Sequence, residues 1–278
     1  MNILNYFCKK TKTKSSRPIG IFDSGVGGLT VANAIQELLP NENIIYFGDT
    51  ANMPYGDKSK EDIQFYSIKI TTFLREHNCK LILIACNSAT AAAYDFLKAT
   101  LPENVILMNV VDPAIAYLAE KYADKRIGLI ATQQTIHSKI YDKKIAELNS
   151  GIELSSLATR VLAPAIEDFD NDLLFEMILK EYLSNPVLQN IDAILLGCTH
   201  YPMIKKNIAK FYEDKVDIID TSFIVAQAVK DELIKRNIYK KASRGKKEFF
   251  ISKYSDSFIS KVKSSFCKDE IFIQQYVL

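Results

Sequence analysis

Two stretches of the sequence, Leu81-Ile82-Leu83-Ile84-Ala85-Cys86-Asn87-Ser88 and Ala193-Ile194-Leu195-Leu196-Gly197-Cys198-Thr199-His200, share one layout. Each is an apolar run followed by a small residue, a cysteine and small polar side chains. A short apolar run of this kind is typical of a buried strand in a parallel sheet. Because open α/β sheets bind ligands at their carboxyl edge, the layout predicts two thiols where a substrate binds.

Two thiols that face one small molecule can act as an acid and base pair, because a thiolate accepts a proton while a thiol donates one. Cys86 and Cys198 therefore predict proton transfer without a cofactor, as in a racemase. Either cysteine alone is also compatible with a small buried packing residue. Packing gives no reason for Asn-Ser to follow one and Thr-His the other. A following helix N-terminus would also lower a thiol pKa.

Strand and helix patterns alternate along the chain, which predicts an α/β fold with mainly parallel sheets. Ser59, three residues before Asp62, resembles a capping box, and Asp112 before Pro113 predicts an N-cap and a first helical residue. The predicted strands cover residues 19–23, 43–48, 81–86, 105–110, 126–132, 152–158, 192–198, 216–220 and 248–253.

The chain also repeats its own pattern. Ile19 to Ser24 matches Ile127 to Thr132 at an offset of 108 residues, and the two cysteine stretches match at an offset of 112. Similar offsets predict two pseudo-symmetric lobes with the active site in the cleft between their carboxyl edges. We expect residues 18–112 and about 222–278 to form the first lobe, and residues 113–221 to form the second.

Composition and charge narrow the class of protein. The 278 residues are 48% hydrophobic and 24% charged, which is typical of a globular protein. The net charge is +2, but the first 17 residues carry +5, so the remainder is about −3 and predicts no nucleic-acid partner. No apolar run approaches the roughly 18 residues that span a bilayer, so we expect no membrane segment.

The N-terminal residues 1–17 form a basic segment that we expect to be a mobile extension, since its hydrophobic residues precede its charges, the reverse of a secretory signal. The five cysteines stand at positions 8, 79, 86, 198 and 267, with no CxxC pair. An odd number without a signal peptide predicts reduced thiols and a cytoplasmic protein.

The segment Asp23-Ser24-Gly25-Val26-Gly27-Gly28 predicts a backbone that turns tightly or lies close to a ligand. Its spacing is not that of a nucleotide-binding fingerprint, because Thr30 stands three residues beyond Gly27. One interpretation is a structural turn between a strand and a helix. The other is an amino-acid site, with Asp23 for the ammonium and backbone amides for a carboxylate. The loop from Asp49 to Gly56 is either a structural turn or part of a site, since it follows a strand at the carboxyl edge of the sheet.

His200 is one of three histidines and follows Cys198 by two residues. It predicts either a structural histidine or one that tunes the thiol and carries its proton. His77 and His137 are predicted to be structural. Cys86, Cys198 and His200 could also bind zinc, but only one short-spaced pair is present, whereas structural zinc sites usually have closely spaced pairs and four ligands.

Several segments together resemble the aspartate/glutamate racemase superfamily, and within it the enzymes that act on glutamate. The resemblance runs from about Pro18 to the C-terminus. It rests on Ile19 to Val31, Gly48-Asp49-Thr50, Pro54-Tyr55-Gly56, Ala85 to Ala91 and Gly197 to Pro202. The stretch from Val161 to Glu167 is a weaker match.

The resemblance implies two lobes, with the last segment rejoining the first, and interconversion of L- and D-glutamate for peptidoglycan synthesis. It implies that Cys86 and Cys198 are the catalytic thiols, with Cys86 the base for D-glutamate and Cys198 the base for L-glutamate. It also implies no cofactor, a homodimer and a possible cell-wall-precursor activator. Support is implied for Asp23, His200 and Glu167, and substrate binding for Asp23, Ser24, Tyr55, Gly56, Asn87, Ser88, Thr132, Thr199 and His200.

Two features depart from the family pattern. Ser88 stands where threonine is usual, which keeps the hydroxyl and removes a methyl group. The basic segment before Pro18 is longer than in many members. Three alternatives remain at this point: an aspartate racemase or decarboxylase of the superfamily, a cysteine hydrolase using Cys198 and His200, and an amino-acid-binding module without catalysis.

Overall fold

The structure is a computed structural model that describes residues 14–167 and 172–278. Ten strands and eleven α-helices alternate along these residues. The strands are β1 Ile19–Asp23, β2 Ile44–Gly48, β3 Leu81–Ile84, β4 Leu107–Asn109, β5 Arg126–Ala131, β6 Glu153–Ala158, β7 Ala193–Gly197, β8 Asp217–Ile219, β9 Lys247–Ile251 and β10 Ile271–Gln275. The helices are α1 Leu29–Leu38, α2 Lys60–Glu76, α3 Asn87–Thr100, α4 Val111–Lys121, α5 Gln133–Ser138, α6 Ile140–Leu148, α7 Leu162–Glu167, α8 Asp172–Leu183, α9 Lys205–Phe211, α10 Thr221–Lys235 and α11 Asp256–Ser265.

The strands form two parallel sheets. The first has the order β10-β9-β2-β1-β3-β4, and the second has the order β6-β5-β7-β8. The order β2-β1-β3-β4 is repeated by β6-β5-β7-β8, so the two sheets share one topology. This confirms the predicted α/β class with two mainly parallel sheets. The C-terminal strand β9 pairs with β2, and β10 pairs with β9, so both lie in the first sheet.

The parallel sheets are covered on both faces. Every residue of β1, β3 and β7 is buried, which explains why their sequences are continuous apolar runs rather than alternating ones. Helix α10 packs against α1, which follows β1, and against α4, which connects β4 of the first sheet to β5 of the second. Among the described residues, no helix combines the length and the apolar character needed to cross a bilayer.

Local start signals were predicted with mixed success. Ser59 caps α2 as predicted, because its side chain accepts a hydrogen bond from the Asp62 amide. The prediction that Asp112 is an N-cap is wrong. Helix α4 already begins at Val111, and the Asn109 side chain accepts from the amides of both Val111 and Asp112. The side chain of Asn109 therefore caps the first turn of α4, and Asp112 lies inside the helix.

The predicted N-terminal extension lies mostly outside the described residues, which begin at Lys14. Residues 14–16 form one turn of 3-10 helix that contacts the first lobe. Lys80 Nζ donates to the Ser15 carbonyl at 2.8 Å, and Asn43 Nδ2 donates to the Ser16 carbonyl at 2.7 Å. Ser15 and Ser16, which lie within the predicted extension of residues 1–17, therefore contact the first lobe.

Candidate active site

Cys86 lies just beyond β3 and occupies the N-cap position of α3, where its sulfur accepts from the Ala89 amide at 3.4 Å. Ser24 Oγ lies 3.9 Å from the same sulfur. Burial raises the pKa of the Cys86 thiol, and the Asp23 carboxylate raises it further, while the Ala89 amide opposes the shift. These surroundings therefore favour the protonated form of the Cys86 thiol.

Asp23 ends β1 and is fully buried. Its Oδ2 accepts from the amides of Gly25 at 3.2 Å and Gly28 at 2.9 Å. Its Oδ1 is buried without a hydrogen-bond partner among the residues that the structure describes. A buried carboxylate oxygen without a partner is costly, so this atom is an acceptor available to a cationic ligand group.

Cys198 lies just beyond β7, at the matching place in the second sheet. Its sulfur is 3.6 Å from His200 Nδ1, and His200 Nε2 is 2.5 Å from Glu167 Oε1 at the end of α7. Burial lowers the pKa of His200, but hydrogen bonds with Cys198 and Glu167 outweigh that effect and raise the pKa to about 10. The second thiol therefore lies beside a positive imidazolium at neutral pH, whereas the first lies beside a carboxylate.

Hydroxyl and amide groups from both lobes lie close together near the two thiols in one site. Ser88 Oγ lies 2.8 Å from Thr132 Oγ1, and Gly56 lies so close to Thr132 that a Cβ atom would be 3.0 Å from its Cβ. Tyr141 donates to Asn87 Oδ1 at 2.8 Å and so orients its carboxamide. The Tyr55 hydroxyl donates to Asp49 Oδ2 at 2.6 Å, so the phenol group is already engaged.

One cavity brings most of these residues together. Of the residues predicted from the sequence, ten line it, namely Ser24, Tyr55, Gly56, Cys86, Asn87, Ser88, Thr132, Cys198, Thr199 and His200. Asp23 and Glu167 are not in its lining. Glu167 is hydrogen-bonded to His200, which does line the cavity. The negative charge of Asp23 raises the pKa of Cys86, which is also a lining residue.

Six further residues line the cavity and were not predicted: Pro54, Asp57, Gln133, Arg160, Ala163 and Pro164. All six are next to or within a residue or segment that the resemblance had marked, and Arg160 directly precedes the stretch from Val161 to Glu167. Arg160 Nε forms an ion pair with Asp57 Oδ1 at 3.2 Å, with side chains 66% and 41% exposed. Residues 57 and 160 come from different lobes, so this pair joins the two sides of the cavity mouth.

The zinc alternative would need further ligands beside the closely spaced Cys198 and His200. Within residues 14–167 and 172–278, no group of three or more histidine, cysteine or acidic side chains is arranged to hold a metal ion. The third member of the Cys198–His200 cluster is Glu167, which is hydrogen-bonded to the imidazole.

Two lobes with one topology, each placing a buried cysteine at the carboxyl edge of its sheet, define the class of two-lobed α/β racemases. The sequence profile described as Asp/Glu/Hydantoin racemase matches residues 27–229, and the chain belongs to this family. It is therefore an isomerase of the racemase class.

Three known proteins illustrate the similarity. The chain is 39% identical over 250 residues to the glutamate racemase of Thermoanaerobacter pseudethanolicus, covering 88% of this chain and 91% of the relative. It is similar to the glutamate racemase of Francisella tularensis in complex with D-glutamate, with a TM-score of 0.85, 33% identity and coverage of 95% and 98%. It is also similar to the Escherichia coli glutamate racemase in complex with L-glutamate and the activator UDP-MurNAc-ala, with a TM-score of 0.73, 26% identity and coverage of 94% and 98%.

Proposed function

We propose that this protein interconverts L- and D-glutamate by proton transfer through Cys86 and Cys198, without a cofactor. The observation that carries the proposal is the lining of one cavity by a buried thiol from each lobe, in unlike electrostatic surroundings. The similarity to glutamate racemases over most of the chain supports glutamate as the substrate.

The two surroundings suit opposite roles in one proton transfer. From L-glutamate, the Cys198 thiolate removes the α-proton, and the Cys86 thiol delivers its own proton to the opposite face of the carbanion. Cys198 then carries a proton and Cys86 is a thiolate, which is the state that reacts with D-glutamate. The imidazolium of His200 lies beside the sulfur that starts as the anion, and burial next to Asp23 keeps Cys86 protonated.

The remaining groups suit the two ends of an amino acid. Asp23 Oδ1 is the acceptor for the ammonium group, whose positive charge offsets the effect of Asp23 on the pKa of Cys86. The hydroxyls of Ser88, Thr132 and Thr199 and the N-terminus of α3 are donors for carboxylate groups. Donors aimed at the α-carboxylate stabilise the charge that develops when the α-proton leaves.

We also propose the biological setting that the resemblance implies. The protein acts in the cytoplasm as a homodimer. Its product, D-glutamate, is used in the synthesis of peptidoglycan, which maintains cell shape. A cell-wall precursor of the kind bound to the Escherichia coli enzyme is a candidate activator. The proposed lobes are residues 18–112 with about 222–278, and residues 113–221, since β9 and β10 hydrogen-bond into the first sheet.

A racemisation assay in D₂O tests the proposed function. The purified protein, with no added cofactor or metal, is incubated separately with L-glutamate, L-aspartate and L-alanine. We expect D-glutamate alone to form and to carry one deuterium at the α-carbon, while the L-glutamate recovered at low conversion stays protiated. Binding of glutamate without isotope exchange, or racemisation of aspartate in preference, would contradict the proposal.

The ion pair at the cavity mouth leads to a prediction of small effect. We expect Arg160→Ala to change kcat/KM by no more than about fivefold, because exposed ion pairs contribute about 0.2–1 kcal/mol. The effect should shrink further at high salt, where exposed charges are screened. Steady-state kinetics at low and high ionic strength measure it. A loss of 100-fold would instead make Arg160 a direct ligand of the substrate.

The basic N-terminal segment leads to a second prediction of small effect. We expect removal of residues 1–13 to leave racemisation within about twofold, since the cavity lining begins at Ser24 among the residues that the structure describes. The deletion stops before Lys14 so that the contacts of Ser15 and Ser16 with the first lobe are kept. Circular dichroism serves as the control for folding. A folded but inactive truncated protein would show that the segment regulates or completes the enzyme.

A further inference from the structure

The loop between β1 and α1 contains three glycines whose surroundings differ sharply. A Cβ at Gly25 would meet Met53 Sδ at 3.3 Å, the end of a flexible side chain. A Cβ at Gly27 would lie 2.5 Å from both His200 Nδ1 and Thr199 Oγ1. A Cβ at Gly28 would lie 2.5 Å from Asp23 Cβ and 2.7 Å from the Tyr46 hydroxyl.

Backbone conformation does not explain these glycines. Among the described residues, the positive-φ glycine is Gly151, so the three loop glycines have backbone angles that alanine also adopts. What Gly27 and Gly28 provide is space. Contacts of 2.5 Å are about 1 Å shorter than ordinary van der Waals separations, so a methyl group at either position must displace its neighbour.

Gly27 belongs to the first lobe, and the atoms that it contacts belong to the second. His200 Nδ1, which limits the space at Gly27, is the same nitrogen that lies 3.6 Å from the Cys198 sulfur. One helical turn further on, Thr30 Oγ1 donates to the Thr199 carbonyl at 3.0 Å. These two contacts fix where the Thr199-His200 segment lies against the first lobe.

Gly28 acts within the first lobe. Its amide donates to Asp23 Oδ2 at 2.9 Å, and its bare Cα allows the Asp23 side chain to fold back against the loop. That position keeps Asp23 beside Cys86, whose pKa it raises. Gly27 therefore contacts His200, which lies beside Cys198, whereas Gly28 contacts Asp23, which acts on Cys86.

We propose that Gly27 and Gly28 are positioning residues for opposite half-reactions: Gly27 sets the place of His200 beside Cys198, and Gly28 sets the place of Asp23 beside Cys86. This inference rests on the proposed two-thiol racemisation. A displacement of about 1 Å in a supporting group is large enough to cost on the order of 100-fold in rate. Each substitution should therefore impair one face of the reaction more than the other.

The test compares Gly25→Ala, Gly27→Ala and Gly28→Ala in the full chain. Each variant is given the separate enantiomers of 3-chloroglutamate, from which loss of the α-proton and chloride, then hydrolysis, releases 2-oxoglutarate and ammonia. This elimination needs only the base on one face. The enantiomer that each thiol processes is assigned with Cys86→Ser and Cys198→Ser.

We expect Gly27→Ala to slow elimination on the Cys198 side at least about tenfold more than on the Cys86 side, and Gly28→Ala to show the reverse. Gly25→Ala, the matched control, should keep at least about half of the wild-type rate on both sides. The pH profile of the Cys198 side should also shift in Gly27→Ala, because His200 is displaced. A merely destabilising methyl group would not move this profile.

A further variant that adds no bulk keeps the inference testable if the glycine variants fail to fold. Thr30→Val removes the hydrogen bond to the Thr199 carbonyl and should slow the Cys198 side selectively, by a smaller factor than Gly27→Ala. Equal losses on both sides in folded Gly27→Ala, Gly28→Ala and Thr30→Val would overturn the inference while leaving wild-type racemisation intact. Failure of the wild-type protein to racemise glutamate would instead refute the proposed function.

Discussion

Cys86→Ser and Cys198→Ser are each expected to reduce racemisation of glutamate by at least about 100-fold, the range of a lost general acid or base. A serine hydroxyl is much less acidic than a thiol and does not form the anion near neutral pH. Both directions of the reaction fail in either variant, because each direction needs one thiol as base and the other as acid. Chiral analysis of the products in both directions measures the loss.

The exposed Cys267 provides the matched control, since Cys267→Ser makes the same change at a residue that does not line the cavity. We expect this variant to keep wild-type activity. Thermal unfolding of all three variants shows whether the proteins remain folded. Substantial racemisation by a folded Cys86→Ser or Cys198→Ser variant would show that the corresponding thiol is not an obligatory proton carrier.

The second large effect is expected at the Cys198 side, on replacing His200 with asparagine. We expect His200→Asn to reduce kcat with L-glutamate by about 10- to 100-fold, because the sulfur that acts as base loses its neighbouring positive charge. Glu167→Gln should cause a smaller loss in the same direction, since the imidazole remains but its carboxylate partner does not. Initial rates over a pH series measure both effects.

The same histidine makes a prediction about stability. Its pKa is raised in the folded protein to about 10 from an ordinary value of 6.5. Its contribution to the free energy of unfolding is therefore fully present below about pH 6.5 and is lost as the pH rises through about 10. Chemical unfolding from pH 6 to 10 should show a steeper loss in the wild type than in His200→Asn. His137→Asn, which changes an exposed histidine, should follow the wild type.

The sequence predicted most of the sheet strands because parallel strands buried on both faces are continuous apolar runs. The nine predicted strands all occur, with ends that differ by a few residues. Strand β10 was not predicted. It is a half-exposed edge strand, so its sequence Ile-Phe-Ile-Gln-Gln lacks the continuous apolar run that marks the buried strands. The cap of α4 was misassigned because Asn109 reaches the helix from the end of β4.

The local motifs predicted most of the residues that meet in the cavity, and they predicted His200 as a residue that tunes Cys198. Cys86 and Cys198 have matching sequence contexts, yet one thiol lies beside Asp23 and the other beside His200. The difference rests on one local contact, of His200 with Cys198, and on contacts between segments distant in the chain, of Asp23 with Cys86 and of Glu167 with His200, which periodicity does not encode. Arg160 was missed for the same reason, because its ion pair with Asp57 joins residues 103 positions apart.

The central claim is that two thiols act on opposite faces of one substrate. Elimination from each enantiomer of 3-chloroglutamate by the two serine variants tests it most directly, because elimination needs a base but no opposing acid. We predict that Cys86→Ser processes only the L-enantiomer, through Cys198, and that Cys198→Ser processes only the D-enantiomer, through Cys86. Equal residual elimination from both enantiomers in both variants would contradict the claim.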